Sequence, residues 1–157
     1  MRDLVVSTVL DLSTYNADGK FTKLMPHIRN MLFHYTDENG FVGIRSSGFI
    51  EPSNTERRGP RSFSVQHCGN YLGNVCLVDT TGVDDATLEE RLFWGLGITS
   101  CQLLYLLFLK EQIKPHLIRH DYHVANGSLY IPQIEYGYHG KIAIEMVKTV
   151  ALITCSS

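Results

Sequence analysis

Charge is scarce in this sequence, and neither sign dominates. Only 19% of the 157 residues are Asp, Glu, Lys or Arg, with 16 acids against 14 bases and a formal net charge of -2. That excludes the broad positive field of a general nucleic-acid binder, although a local basic patch stays open. It also excludes the charge-rich composition of a disordered chain. Proline is rare (5 residues), and the 13 glycines follow no repeat, so neither a collagen-like chain nor a Pro-rich linker fits. Cysteine occurs four times, at Cys68, Cys76, Cys101 and Cys155, with no C-x-x-C pair. Such scattered positions point to reduced thiols in a cytoplasmic protein, not to a disulfide framework. The apolar stretch at the N-terminus is too short for a secretory leader, and Asp11 interrupts it.

Several chemical signatures are missing too. There is no H-E-x-x-H, no serine nucleophile elbow and no phosphate loop, and Gly95-Leu96-Gly97 lacks the rest of a dinucleotide fingerprint. Cys68 directly follows His67, but neighbours on a strand point apart, so no Cys–His dyad is expected there. His116, His120 and His123 form H-x-x-x-H-x-x-H behind Pro115, in what reads as a helix end entering a loop. They are expected to face solvent, and no metal site is expected.

What is present is an apolar, medium-length chain. A hydrophobic fraction of 44% over 157 residues suits one globular domain spanning residues 1–157. The longest uncharged run, residues 92–109, approaches membrane-spanning length. Gly95, Gly97, Thr99, Ser100 and Gln102 interrupt it, and charged residues flank both ends. The expected reading is a helix ending near Gly95–Gly97, then a second, buried helix over about 99–113, with broken helix continuing to about 118. No membrane association is expected.

Along the rest of the chain, Val- and Thr-rich residues 4–10 predict a strand. Phe21, Leu24, Ile28 and Met31 have helical spacing disturbed by Pro26. Residues 31–36 predict a strand, and Thr36 or Asp37 caps a helix that turns Phe41, Val42 and Ile44 inward and ends at Gly48. A polar loop over 51–60 precedes predicted strands at 61–65 and 74–79, and a turn follows at 80–82. Asp84 or Asp85 opens the helical region. Further strands are predicted at 128–135 and 148–155, with a turn at 136–140. The order predicts an α+β fold with a mainly antiparallel sheet.

Two places carry candidate chemistry. His34 sits between apolar neighbours on a predicted strand, where an imidazole can serve as a hydrogen-bond partner. Gln133 and Glu135 fall on one face of their predicted strand by the period-two rule. The plain reading of that pair is a solvent-facing edge. The sharper one is a pair that grips a ligand and places a charge.

The run Leu32-Phe33-His34-Tyr35-Thr36-Asp37-Glu38-Asn39-Gly40-Phe41-Val42-Gly43-Ile44, followed by Ser46-Ser47-Gly48 and Glu51-Pro52-Ser53, resembles the opening of ADP-ribosyltransferase domains. It is most similar to those with a His-Tyr-Thr first strand, the small HYD1-type group. Gln133-Ile134-Glu135-Tyr136-Gly137-Tyr138-His139-Gly140-Lys141-Ile142 resembles their glutamate-bearing strand. Gly59-Pro60-Arg61-Ser62-Phe63-Ser64 and Asn70-Tyr71 fall where the middle motif belongs.

This resemblance implies a split antiparallel sheet flanked by helices, with a central cleft holding NAD as substrate. It implies that His34 bonds ribose hydroxyls, and that the backbone of Tyr35, with Thr36 beside it, holds the nicotinamide carboxamide. Tyr71 stacks on the nicotinamide near Phe63, Ser62 or Ser64 supports the glutamate or ribose, and Gln133 lines the site. Glu135 is the implied catalytic carboxylate, with His34 facing it. A fixed carboxylate there stabilises the positive charge that develops as the glycosidic bond breaks, and it could also orient the nucleophile.

The implied activity is cleavage of the nicotinamide–ribose bond of NAD, with transfer of ADP-ribose to a macromolecular acceptor, protein or nucleic acid, or to water. The implied setting is a toxin or microbial-conflict protein with a neutralising protein partner. Departures from the family pattern leave two alternatives. Phe63 or Ser62 stands where the family often has tyrosine, which suits a catalytically silent NAD- or partner-binding module. Gln133 is similar to the acceptor-selecting residue of an Arg-Ser-Glu branch, but His34 occupies the place of its arginine. RNA 2′-phosphotransferases also use a first-strand His, and Arg45, Arg57, Arg58 and Arg61 suit phosphate. Glu135 argues against that chemistry.

Overall fold

The computed structural model describes residues 3–52, 73–95, 102–119, 131 and 133–156. In chain order they form β1 (Val6–Asp11), α1 (Ala17–Ile28), β2 (Leu32–Thr36), α2 (Glu38–Ser47), β3 (Phe49–Ile50), β4 (Asn74–Asp79), α3 (Asp85–Gly95) and β5 (Leu103–Leu109). A 3-10 helix (Glu111–His116), β6 (Glu135–His139), β7 (Ile142–Ala143) and β8 (Val147–Thr154) follow. Six strands make one sheet in the order β1-β8-β5-β2-β4-β6, and β3 and β7 make a second, small one. β1 runs parallel to β8, whereas the other neighbours are antiparallel. The fold is therefore α+β with a mixed sheet.

The largest correction concerns the uncharged run. Residues 103–109 form a strand, not a buried helix, and it lies between β8 and β2 inside the sheet. Its sequence, LLYLLFL, shows no alternation because both of its faces are covered: Leu104, Leu106 and Phe108 enter one core cluster, and Tyr105, Leu107 and Leu109 the other. A strand buried on both sides and a buried helix look alike in an apolar run. Among the described residues no helix is long and apolar enough to cross a membrane.

The two clusters define the layers. On one face of the sheet, α1 contributes Phe21, Leu24, Met25 and Ile28, and α3 contributes Leu88 and Leu92. On the other, α2 contributes Phe41 and Ile44, the small sheet Ile50 and Ile142, and the 3-10 helix Ile113. Val42, expected inside, is 55% exposed, because the buried stripe of α2 is satisfied by positions 41 and 44.

Local signals explain the boundaries. The Asn16 side chain accepts from Gly19 N at 2.8 Å and caps α1. Pro26 is tolerated in the last turn, and the chain leaves the helix at Arg29. The Asp37 side chain accepts from Gly40 N at 2.7 Å and caps α2. A Cβ on Gly40 would collide with the Thr36 hydroxyl, so glycine is what lets α2 fold back against β2. Gly48 ends α2 with φ 80°.

The C-terminal third departs from expectation in register. Of the strand expected over 128–135, positions 128–130 and 132 lie outside the described residues and the described strand starts at Glu135; the turn expected at 136–140 falls mostly on β6, Glu135–His139. Gly137 looked like a turn residue, but it pairs with Cys76 inside the β4–β6 ladder. Ile118 bonds the other edge of Gly137 with N–O distances of 2.7 and 3.0 Å.

Burial on both faces of β5 predicts that Leu106→Ala and Leu107→Ala each destabilise the protein by about 2–5 kcal/mol in denaturant unfolding. A near-neutral result at either position would mean that one face of this strand is solvated.

Candidate functional site at the fork of the sheet

β2 and β4 pair through only two positions, Leu32↔Asp79 and Phe33↔Val78. Thr80, wholly buried, locks that end. Its hydroxyl donates to Ile28 O and accepts from Met31 N at 2.9 Å, and its N–H donates to Met31 O at 3.0 Å. Beyond Phe33 the ladder stops, although β2 continues on β5 through Thr36, and β4 stays paired with β6 from Asn74. The two strands form a fork, closed at Thr80 and open towards Thr36 and Asn74.

His34 is the first residue past the last pair. Its Nδ1 lies 2.9 Å from Cys76 O, so side chain meets main chain where ladder bonds have ended. A carbonyl only accepts, so Nδ1 carries the proton and, in the neutral ring, Nε2 is the acceptor nitrogen. Tyr35 is half-buried with its ring centroid 6.5 Å from that of His34, and Thr36 is buried. On the other tine, Asn74 is almost fully buried and lies 3.1 Å from Nδ1 of His139. Gly140 N donates to Gly73 O at 2.8 Å. The Asn74–His139 pair was missed in the sequence. Its only signal is the register that sets Asn74 opposite His139.

Glu135 does not face this fork. Directly paired residues of an antiparallel ladder share a face. Phe33, Val78 and Glu135 form one such row, on the side covered by α1 and α3. His34 pairs with Leu107 on the opposite side, the side of α2. Two strand spacings put the two backbones roughly 10 Å apart, with the side chains leaving opposite faces. Glu135 is also 0% exposed, and one carboxylate oxygen accepts from Ile131 N at 2.9 Å. The expected facing of imidazole 34 and carboxylate 135 is therefore corrected. A buried carboxylate needs such hydrogen bonds in place of water, and here the backbone before β6 supplies one.

The expected Gln133–Glu135 face is corrected as well. Gln133 has φ 71°, sits before the strand, and is exposed. Its Oε1 accepts from Arg91 Nε at 3.3 Å. A left-handed residue breaks the period-two rule on which the pairing depended.

On β6, Tyr136 and Tyr138 share a face with His34, Tyr136 across Leu77 and Tyr138 across Val75. Burial, and next the negative charge of Asp79, push the Tyr136 phenol above the ordinary tyrosine range. Asp79 in turn lies 3.9 Å from Lys114 Nζ, which bonds Glu111 at 3.0 Å.

Ser62, Phe63, Ser64 and Tyr71 lie outside the described residues, as do Arg57, Arg58, Arg61, His120, His123 and the strand expected at 61–65. Arg45 is engaged by Asp3 at 3.0 Å. His116 meets Tyr138 edge-on at 6.4 Å. Among the described residues no group of three or more metal-ligating side chains occurs. Comparisons with protein-family models, curated proteins and solved structures find no match.

The burial of Glu135 predicts that Glu135→Ala lowers stability by about 1–3 kcal/mol, because the Ile131 N–H loses its acceptor. Glu135→Gln keeps an acceptor oxygen and loses less. Equal stability of Glu135→Ala and wild type by chemical denaturation would show that the carboxylate has no structural role.

Proposed function

We propose that this chain is an NAD-binding domain of the ADP-ribosyltransferase-like type, in which the fork between β2 and β4 holds the dinucleotide. The supporting observation is His34. It stands one residue past the last β2–β4 pair with its ring oriented on Cys76 O, and an imidazole is a suitable hydrogen-bond partner for ribose hydroxyls. The main chain of Tyr35 lies past the last β2–β4 pair, consistent with contact to a carboxamide. Tyr136 shares the face of His34 and is a further candidate for contact.

Within that reading, holding NAD is favoured over cleaving it. Mono-ADP-ribosyl transfer to a macromolecular acceptor or to water rests on a carboxylate beside the nicotinamide ribose. The observation against it is the burial of Glu135 on the face away from His34. A toxin role with a neutralising protein partner follows only if transfer occurs. The RNA 2′-phosphotransferase reading loses one of its four arginines, since Arg45 is already paired with Asp3.

Calorimetric titration with NAD, beside a labelled-NAD turnover assay, tests this reading. Wild type and Glu135→Gln are expected to bind NAD alike and leave it intact. His34→Ala is expected to bind about tenfold more weakly, the loss of one strong hydrogen bond. Turnover by wild type that Glu135→Gln abolishes would overturn the binding-module reading in favour of the transferase. Absence of NAD binding by wild type would overturn both.

A further inference from the structure

Lys20 is out of place on α1. It is 9% exposed and belongs to the buried stripe of the helix with Phe21, Leu24, Met25 and Ile28. A lysine is rarely so buried without a paired anion. Among the described residues its ammonium has no ion pair and no hydrogen bond. Only its main-chain N–H is bonded, to Asn16 O at 2.8 Å. Helical side chains lean toward the start of their helix. Lys20, one turn into α1, is thereby aimed at that start, on the side of Asn16 and Ala17. Lys23 has the same lean, since its Nζ lies 5.5 Å from the ring centroid of Tyr15, which precedes the helix.

Two ammonium groups therefore gather where a helix is already positive. The start of an α-helix carries about half a positive charge and favours anions, whereas cations belong at its far end. First-turn N–H groups also have no acceptor within the helix. The Asn16 side chain takes that of Gly19 at 2.8 Å, which leaves those of Ala17 and Asp18 without an acceptor among the described residues. The acids at hand are turned elsewhere. Asp18 is exposed and stands two positions from Lys20, on another side of the helix. Asp11, before the helix, accepts from Ser13 N at 2.9 Å and from its hydroxyl at 2.6 Å.

We propose that the first turn of α1 binds a phosphate group, with Lys20 and Lys23 as its cations and the Ala17 and Asp18 N–H groups as its main-chain donors. A tetrahedral oxyanion suits this set, because helix-start N–H groups and lysine point charges are how proteins hold phosphate. Seating it gives the buried ammonium the counter-charge that no described side chain supplies. α1 covers the face of the sheet opposite His34, so the inference does not depend on how the fork is read.

Titration of the nitrogen-15-labelled full chain with inorganic phosphate, at an ionic strength held constant with sodium chloride, tests it. Wild type is expected to show saturable shifts of the Ala17 and Asp18 amides, with protection against thermal unfolding over the same concentrations. Lys20→Met keeps an apolar stem and is expected to weaken binding about tenfold, the loss of one charge-assisted hydrogen bond. Lys23→Gln, at an exposed position, is expected to weaken it about twofold, and it serves if the methionine variant fails to fold. A parallel titration with adenosine monophosphate separates the sources. Binding at least as tight as that of inorganic phosphate supports an ester as the ligand, and weaker binding supports the free ion. Absent or unsaturable amide shifts with inorganic phosphate overturn the proposal, even if adenosine monophosphate binds. So does a folded Lys20→Met protein, or a Lys23→Gln protein, that binds phosphate as tightly as wild type.

Discussion

The imidazole of His34 reaches the carbonyl of Cys76 at the point where two neighbouring strands stop exchanging main-chain bonds. On one side of that point, β2 and β4 are held by two paired positions and by the buried hydroxyl of Thr80. On the other, each strand follows its own partner, β5 or β6. One short joint thus carries β4 and β6 on the rest of the sheet. The contact of His34 Nδ1 with the carbonyl of half-buried Cys76 orients the ring at this point.

The joint also fixes what can act together. Since β2, β4 and β6 stay in register through Phe33, Val78 and Glu135, the carboxylate belongs to the α1 and α3 side, and the imidazole belongs to the α2 side. A shift of β6 by one residue would exchange the faces and set a carboxylate where Tyr136 now stands. The register therefore decides which face of the sheet carries the carboxylate. The hydrogen bond from Ile131 N to the Glu135 carboxylate is one of the contacts that keeps it there.

Much of the first half was legible because its signals were local. Asn16, Asp37 and Gly48 act at the helix ends they mark, and NVCLVD forms its strand with the predicted bounds. The failures were tertiary. LLYLLFL has no period because both faces are buried, so composition alone could not tell strand from helix. Tyr136-Gly137-Tyr138 looked like a turn because glycine opposite Cys76 carries no mark of its pairing. The period-two rule for Gln133 and Glu135 failed because Gln133 adopts a left-handed conformation that its residue type does not announce. His34 was picked out by its neighbours, but its bond to Cys76, 42 positions away, follows only from the fold.

Nitrogen-15 NMR of the imidazoles, with the His34 resonances assigned through His34→Gln, tests the fork most directly. The geometry predicts a His34 ring protonated on Nδ1 at neutral pH, with a Nδ1–H shift displaced by the bond to Cys76 O. A His34 ring found in the Nε2–H form, or exchanging freely between the two, would contradict the fork and the site built on it.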